Sequence, residues 1–278
     1  MARRYGRKKK KTNIGTILGA SALGLLSLGM VAGFVWMWSR TDDTVLVKGT
    51  NCPATGATTA TVVIFDATDP ISPTTLSDLK NQFRGIVGSV EKGGYLRVVS
   101  LTGKPGEIPL MFDGCNPGDG SSVDSWTGNP EMARKKWEKA FDEPLANLPD
   151  EIANGTEAAQ SPIMAAIQKV KLTIFDGEIG EGRPNRLFVA SDMIEHTHLY
   201  SQYKAGPDYE KYLGSLAAKE YRTPLGGVDV SLLYVERPNR KFESLAHVEF
   251  WKQWVERQDG NFVNATRLAG LNLAEAEQ

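Results

Sequence analysis

The chain has 278 residues, 41% hydrophobic and 23% charged, enough apolar material for one domain of about 200–240 residues or two small ones. That composition excludes wholesale disorder, a collagen-like repeat and a small disulfide scaffold. With only one stretch long and apolar enough to cross a bilayer, a polytopic transporter is excluded too. The net charge of −1 conceals an asymmetry: residues 1–40 hold eight Lys/Arg and no acid, which leaves 24 Lys/Arg against 33 Asp/Glu in residues 41–278, or −9. An acidic body of this kind argues against binding nucleic acid.

In chain order, residues 1–13 form a basic arm in which Arg3, Arg4, Arg7 and Lys8 through Lys11 supply seven cations. Residues 14–38 follow without a charge, and as a helix they span roughly 37 Å, more than a hydrocarbon core of about 30 Å. Trp36 and Trp38 stand where an interfacial aromatic belt would lie, and Arg40 ends the run. A cleaved secretory signal is the competing reading, but its apolar region is usually shorter, and Trp36 to Arg40 lacks the small residues of a cleavage site. The arm then stays cytoplasmic, and the body lies outside: in a bacterium, a single-pass inner-membrane protein with a periplasmic domain. Gly15, Gly19, Gly29 and Gly33 give two small-xxx-small spacings through which two such helices can associate.

Residues 39–58 read as a linker and 59–278 as the folded domain. Thr61 to Phe65, ending in Asp66, is the apolar run of a strand buried on both faces. Ser72-Pro73 opens a helix to about Val90, with Leu76, Leu79, Phe83, Ile86 and Val90 at spacings of three and four. Beyond Gly93-Gly94, Tyr95–Leu101 reads as a strand and Ile108–Phe112 as its antiparallel return. Helices are expected over Pro130–Phe141, Ser161–Val170, Tyr209–Tyr221 and Leu245–Arg257, and strands over Asn185–Ala190 and Val228–Val235. Alternating strands and helices make a mostly parallel α/β sheet with one antiparallel edge strand. If the return strand runs back antiparallel, Cys115 ends at the edge of the sheet where the chain carrying Cys52 enters. A Cys52–Cys115 disulfide is then permitted outside the cytoplasm, two unpaired thiols being the alternative.

In an open parallel sheet, ligands bind beyond the carboxyl ends of the strands. Three polar elements fall there: Asp66-Ala-Thr68-Asp69-Pro70, Ser161 before Pro162, and Ser191-Asp192. Their oxygens suit a hard divalent ion such as Mg²⁺. At these residues the sequence resembles the von Willebrand factor A-like domains, α/β sandwiches whose metal-ion-dependent adhesion site uses an Asp-x-Ser/Thr-x-Ser run, a hydroxyl from a middle loop and a later Asp. The resemblance covers roughly residues 59–258. It implies Asp66, Thr68, Ser161 and Asp192 as ligands of Mg²⁺ or Mn²⁺, and binding of a protein partner in place of catalysis. Pro70 stands where the run has its second hydroxyl, with Asp69 or Ser72 as auxiliaries, although Ser72 is also the expected helix cap.

Other chemistry is poorly served. Glu195-His196-Thr197-His198 offers an H-x-H pair, but zinc would need acids to complete its shell, and the four residues read as a solvent-facing rim. Asp66-x-Thr68 also resembles the nucleophile loop of the haloacid dehalogenase phosphatases, without their second carboxylate. The sequence has no G-x-S-x-G elbow, dinucleotide fingerprint or P-loop. Trp251 and Trp254, with Val248 and Val255, sit at helical spacing and read as core. Asn154-Gly-Thr156 and Asn264-Ala-Thr266 fit the glycosylation pattern and carry no weight. The expected function is therefore a membrane-anchored, metal-dependent protein-binding domain. A metal-dependent hydrolase using the same acids and a metal-free envelope scaffold are the alternatives.

Overall fold

The computed structural model describes residues 14–38, 46–126, 128–153, 155, 158–237 and 241–268. The basic arm, Arg40, Asn154 and Thr156 lie outside these residues. The chain divides into two units, Met1–Thr44 and Val45–Gln278.

In the first unit, helix α1 spans Ile14–Trp38, the bounds expected from the uncharged run. Its segment Leu18–Trp36 is long and apolar enough to cross a membrane, and none of it is buried in protein. Ser27 donates its hydroxyl to the Leu23 carbonyl at 2.8 Å, so this polar group is satisfied inside the helix. Gly19, Gly29 and Gly33 face open space.

The second unit is built on a six-stranded sheet. Its strands are β1 (Ala60–Asp66), β2 (Tyr95–Leu101), β3 (Leu110–Cys115), β4 (Asn185–Ser191), β5 (Asp229–Val235) and β6 (Asn261–Leu268), in the order β3-β2-β1-β4-β5-β6. All neighbours are parallel except β2 and β3. β1 lies in the interior of the sheet, and residues 60–65 have no exposed surface, which accounts for the unbroken apolar run. Val63 and Phe65 join one core with Leu79, Phe83 and Ile86 of α2 (Pro73–Gly88). Val62 and Ile64 join the other with α6 (Ile163–Val170) and α10 (Ser244–Glu256). Trp251 and Trp254 sit fully buried in that second core, as their spacing implied.

Several expectations shift. The return strand runs two to three residues later than expected, with a register break between Val98 and Val99. The helix begun at Pro130 continues as α3 (Pro130–Trp137), a wide π turn, α4 (Glu143–Ala146) and α5 (Leu148–Ala153). The stretch 209–221 breaks at Gly214 into α8 (Tyr209–Leu213) and α9 (Ala217–Glu220), after a one-turn α7 at Gln202–Ala205. Strand β6 was not expected. It is a sheet edge with mostly exposed or half-buried side chains, so it shows no strong apolar pattern.

The segment before β1 is tied back to the sheet. Leu46 bridges Pro53, and the Cys115 amide donates to the Thr50 carbonyl at 2.7 Å. Cys52 and Cys115 meet there in a disulfide. The antiparallel course of β3, inferred from the glycine-broken hairpin, is what returns Cys115 to this edge.

Candidate functional site

Because β1, β4 and β5 are parallel, the segments that follow Asp66, Ser191 and Val235 all emerge on one edge of the sheet. Asp66 is the hub. Its Oδ1 accepts the Thr68 amide at 3.0 Å and the Thr68 hydroxyl at 2.6 Å. Its Oδ2 accepts the Ser191 hydroxyl at 2.5 Å and lies 3.4 Å from the Ser161 hydroxyl. Burial raises the Asp66 pKa; the Ser191 and Thr68 hydrogen bonds pull it back, and the negative charge of Asp192 adds to the rise.

The loop after β4 is held from within. The Ser191 hydroxyl accepts the Met193 amide at 2.8 Å, and Asp192 Oδ1 accepts the Ile194 amide at 3.1 Å. Met193 has φ +63°, a left-handed conformation that costs a non-glycine residue free energy. Here its side chain is fully buried and its carbonyl takes the indole N–H of Trp251 at 2.7 Å. Both contacts hold the turn that carries Asp192.

Ser161 does not cap α6. It sits in a two-way backbone bridge with His196, and Glu195 provides the cap, its Oε2 accepting the Met164 amide at 2.9 Å. This corrects the expectation of a solvent-facing rim: Glu195 has no exposed surface and Thr197 is buried, while His198 alone of the four is exposed. His196 pairs through Nδ1 with the Ser201 hydroxyl at 2.9 Å. Ser72 accepts the Thr75 amide at 3.1 Å as the cap of α2, so its hydroxyl serves the helix.

Asp66, Thr68 and Ser161 are thus brought together, with Ser191 as a further hydroxyl that the sequence reading had noted only as the neighbour of Asp192. Asp192 stands one residue beyond, its Oδ2 accepting Arg237 Nε at 2.8 Å. Arg237 was not singled out from the sequence. The available signal was a cation two residues past the end of a strand parallel to β1 and β4. It also donates to the Pro70 carbonyl at 2.6 Å and approaches Asp69 Oδ2 at 3.8 Å.

The donors around Asp66 are all oxygens, the type a hard divalent ion takes, and on that chemistry they fit Mg²⁺ or Mn²⁺. Among the described residues no group of three or more His, Cys, Asp or Glu side chains is placed to hold a metal. An ion here would rest on two carboxylates, hydroxyls and water.

No protein-family model matches this chain, and no curated protein sequence does. Solved structures similar to it at low level include the following three. One is an aerotolerance-related membrane protein from Bacteroides fragilis (12% identity, TM-score 0.36, 78% of this chain and 94% of that one). The second is BatB from Bacteroides thetaiotaomicron (14%, 0.39, 78% and 94%). The third is a von Willebrand factor type A protein from Catenulispora acidiphila (13%, 0.41, 79% and 41%). At such scores these likenesses contribute nothing about function. The strand order with one antiparallel edge pair, and the loop cluster on Asp66, give the body the architecture of a von Willebrand factor A-like domain, in a chain whose N-terminal helix is long and apolar enough to cross a membrane.

Proposed function

We propose that the body is a protein-binding domain held at a membrane by α1, and that it engages its partner through the loop face at the carboxyl ends of β1, β4 and β5. The observation that carries this reading is the convergence of hydroxyls from three separate segments, Thr68, Ser161 and Ser191, on the half-buried carboxylate of Asp66. In its finer form Asp66, Thr68, Ser161 and Asp192, with Asp69 as auxiliary, hold Mg²⁺ or Mn²⁺, which would offer an open coordination position to the partner. A catalytic role has less support, because the Thr68, Ser161 and Ser191 hydroxyls are all directed onto Asp66.

The topology follows from two supports. The cationic arm before α1 favours a cytoplasmic N-terminus, and the Cys52–Cys115 disulfide suits an oxidising compartment such as the periplasm. The open glycine faces of α1 allow two copies to associate through that helix.

Two measurements test the reading on the full-length chain in detergent or in cells. Calorimetric titration of Mg²⁺ and Mn²⁺ is expected to give micromolar-to-millimolar binding that Asp66→Ala and Asp192→Ala both abolish. A photo-crosslinking residue at position 203, on the loop face, is expected to trap a partner protein in cells, and the same probe at position 261, at the opposite end of the sheet, to trap none. Equal capture at both positions, or capture at 203 that ignores Asp66→Ala, would overturn partner binding through this face.

A further inference from the structure

An ion that joined the loop after β4 to the loop after β1 would need Asp192, and Asp192 already has a cation. Arg237 leaves the end of β5 and lays its guanidinium between the two loops. Nε donates to Asp192 Oδ2 at 2.8 Å, one terminal nitrogen donates to the Pro70 carbonyl at 2.6 Å, and the other lies 3.8 Å from Asp69 Oδ2. Only about a tenth of the Asp192 side chain is exposed, against 29% of Arg237, so the carboxylate is the enclosed partner and the arginine the one with room to move. That room is a cavity of about 150 Å³ lined by Asp69, Asp192, Tyr203, Arg237, Lys241 and Phe242. At about 30 Å³ per water it can hold several waters, and a bound Mg²⁺ or Mn²⁺ keeps several.

We propose that Arg237 is the resident cation of the loop face, and that a divalent ion reaches Asp192 only by displacing the guanidinium toward this cavity. The inference rests on the divalent-ion form of the reading above and adds its regulation. With Arg237 seated, Asp192 is neutralised and its Oδ2 is taken, so Asp66 and the hydroxyls offer one carboxylate to an ion in place of two. A divalent ion replaces a single positive charge with two among Asp66, Asp69 and Asp192, which favours exchange once the ion concentration is high enough. The apparent affinity of the face is therefore reduced by the fraction of molecules in which Arg237 is seated. Partner engagement that pulls Arg237 away would raise it.

The test is Mn²⁺ calorimetry on the full-length chain in detergent micelles, for wild type, Arg237→Met, Arg237→Lys and the double variant Arg237→Met/Asp192→Asn, each checked for folding by circular dichroism. Arg237→Met is expected to bind roughly tenfold tighter or more, as a seat occupied in nine molecules of ten implies. Arg237→Lys should fall between, since the charge stays but the fork that spans Asp192 and Pro70 is lost, and the double variant should lose the gain. A silent wild type beside a binding Arg237→Met also upholds the exchange, while removing the preformed ion site of the native face. Equal affinity in wild type and Arg237→Met would overturn the exchange and leave the ion site standing. No binding in either folded protein would overturn both, with partner binding then judged by the crosslinking result alone. Should Arg237→Met fail to fold, Arg237→Lys decides, and an affinity no tighter than wild type overturns the proposal.

Discussion

Beneath the loop face lies a set of buried polar side chains that the residue types alone do not interpret. Gln202 Oε1 accepts the Glu195 amide at 2.8 Å and stands 3.1 Å from His247 Nε2. The other ring nitrogen of His247, Nδ1, stands 3.0 Å from the Tyr234 hydroxyl, and the Trp251 indole nitrogen lies 3.3 Å from Nε2. Burial pushes Glu195 up to about 8, against the pull of the Met164 and Ile163 amides, and holds His247 down to about 4. The two act on stability with opposite sign. Glu195 keeps its proton in the fold long after the unfolded chain has lost it near 4.5, so its contribution is whole below about 4.5 and lost as pH rises to about 8. The depressed pKa of His247 gives a contribution present above about 6.5 and lost as pH falls toward about 4. Each slope reaches at most about 1.4 kcal/mol per pH unit, so the two oppose each other between about 4.5 and 6.5, and only Glu195 acts above. Glu195→Gln is expected to abolish the decline between pH 6.5 and 8 and to unmask a loss on the acid side. Urea midpoints of both proteins across that range check it, and a wild-type curve flat above pH 6.5 would refute the assignment to Glu195. The sequence reading placed Glu195 on a solvent-facing rim because an acid beside two histidines in a polar run carries no mark of burial. The burial comes from α6 and the loop packing over it.

Element by element, the starts were easier to read than the ends. Ser72-Pro73 marks the beginning of α2 because the hydroxyl and the fixed proline φ act locally, and the cap forms as expected. The Ser72 hydroxyl is engaged in that cap, accepting the Thr75 amide. Ser72→Ala is expected to cost about 1 kcal/mol, as lost caps do, and to leave Mn²⁺ affinity within error of wild type. A drop in affinity would return Ser72 to the ligand set. The end of the α8–α9 region and the whole of β6 were not legible for the opposite reason. Gly214 interrupts a run whose apolar spacing continues through it, and β6 is an edge strand recognised by the backbone of β5, not by its own pattern. The loop from Ser191 to Glu195 is likewise a tertiary product, its left-handed Met193 secured by Trp251 from α10.

At the scale of the molecule, Cys52 and Cys115 are 63 residues apart in sequence. A crosslink closing a loop of that length is worth about 2–4 kcal/mol, chiefly by restricting the unfolded chain. Cys52→Ala/Cys115→Ala should lower the urea midpoint of the body by a corresponding amount. Equal stability with and without the bridge would mean that the hydrogen bond from Cys115 to Thr50 already holds the segment. What the sequence by itself determined is the set of features that are local or periodic: the uncharged run of α1, the buried strand β1, the alternation of strands and helices, and Asp66 and Thr68 on a strand end. The hairpin that turns β3 back brought the two cysteines to one edge, and the structure closes them into a disulfide. Only the tertiary structure decided the company that Asp66 and Asp192 keep. Ser191 and Arg237 come from segments up to 171 residues from Asp66 in sequence, and they meet because β1, β4 and β5 are adjacent and parallel; Ser161 is held there by its backbone bridge to His196. No local rule joins a strand end to a cation that far along the chain. The cation on Asp192 is a consequence of sheet order, since parallel neighbours deliver their loops to the same edge.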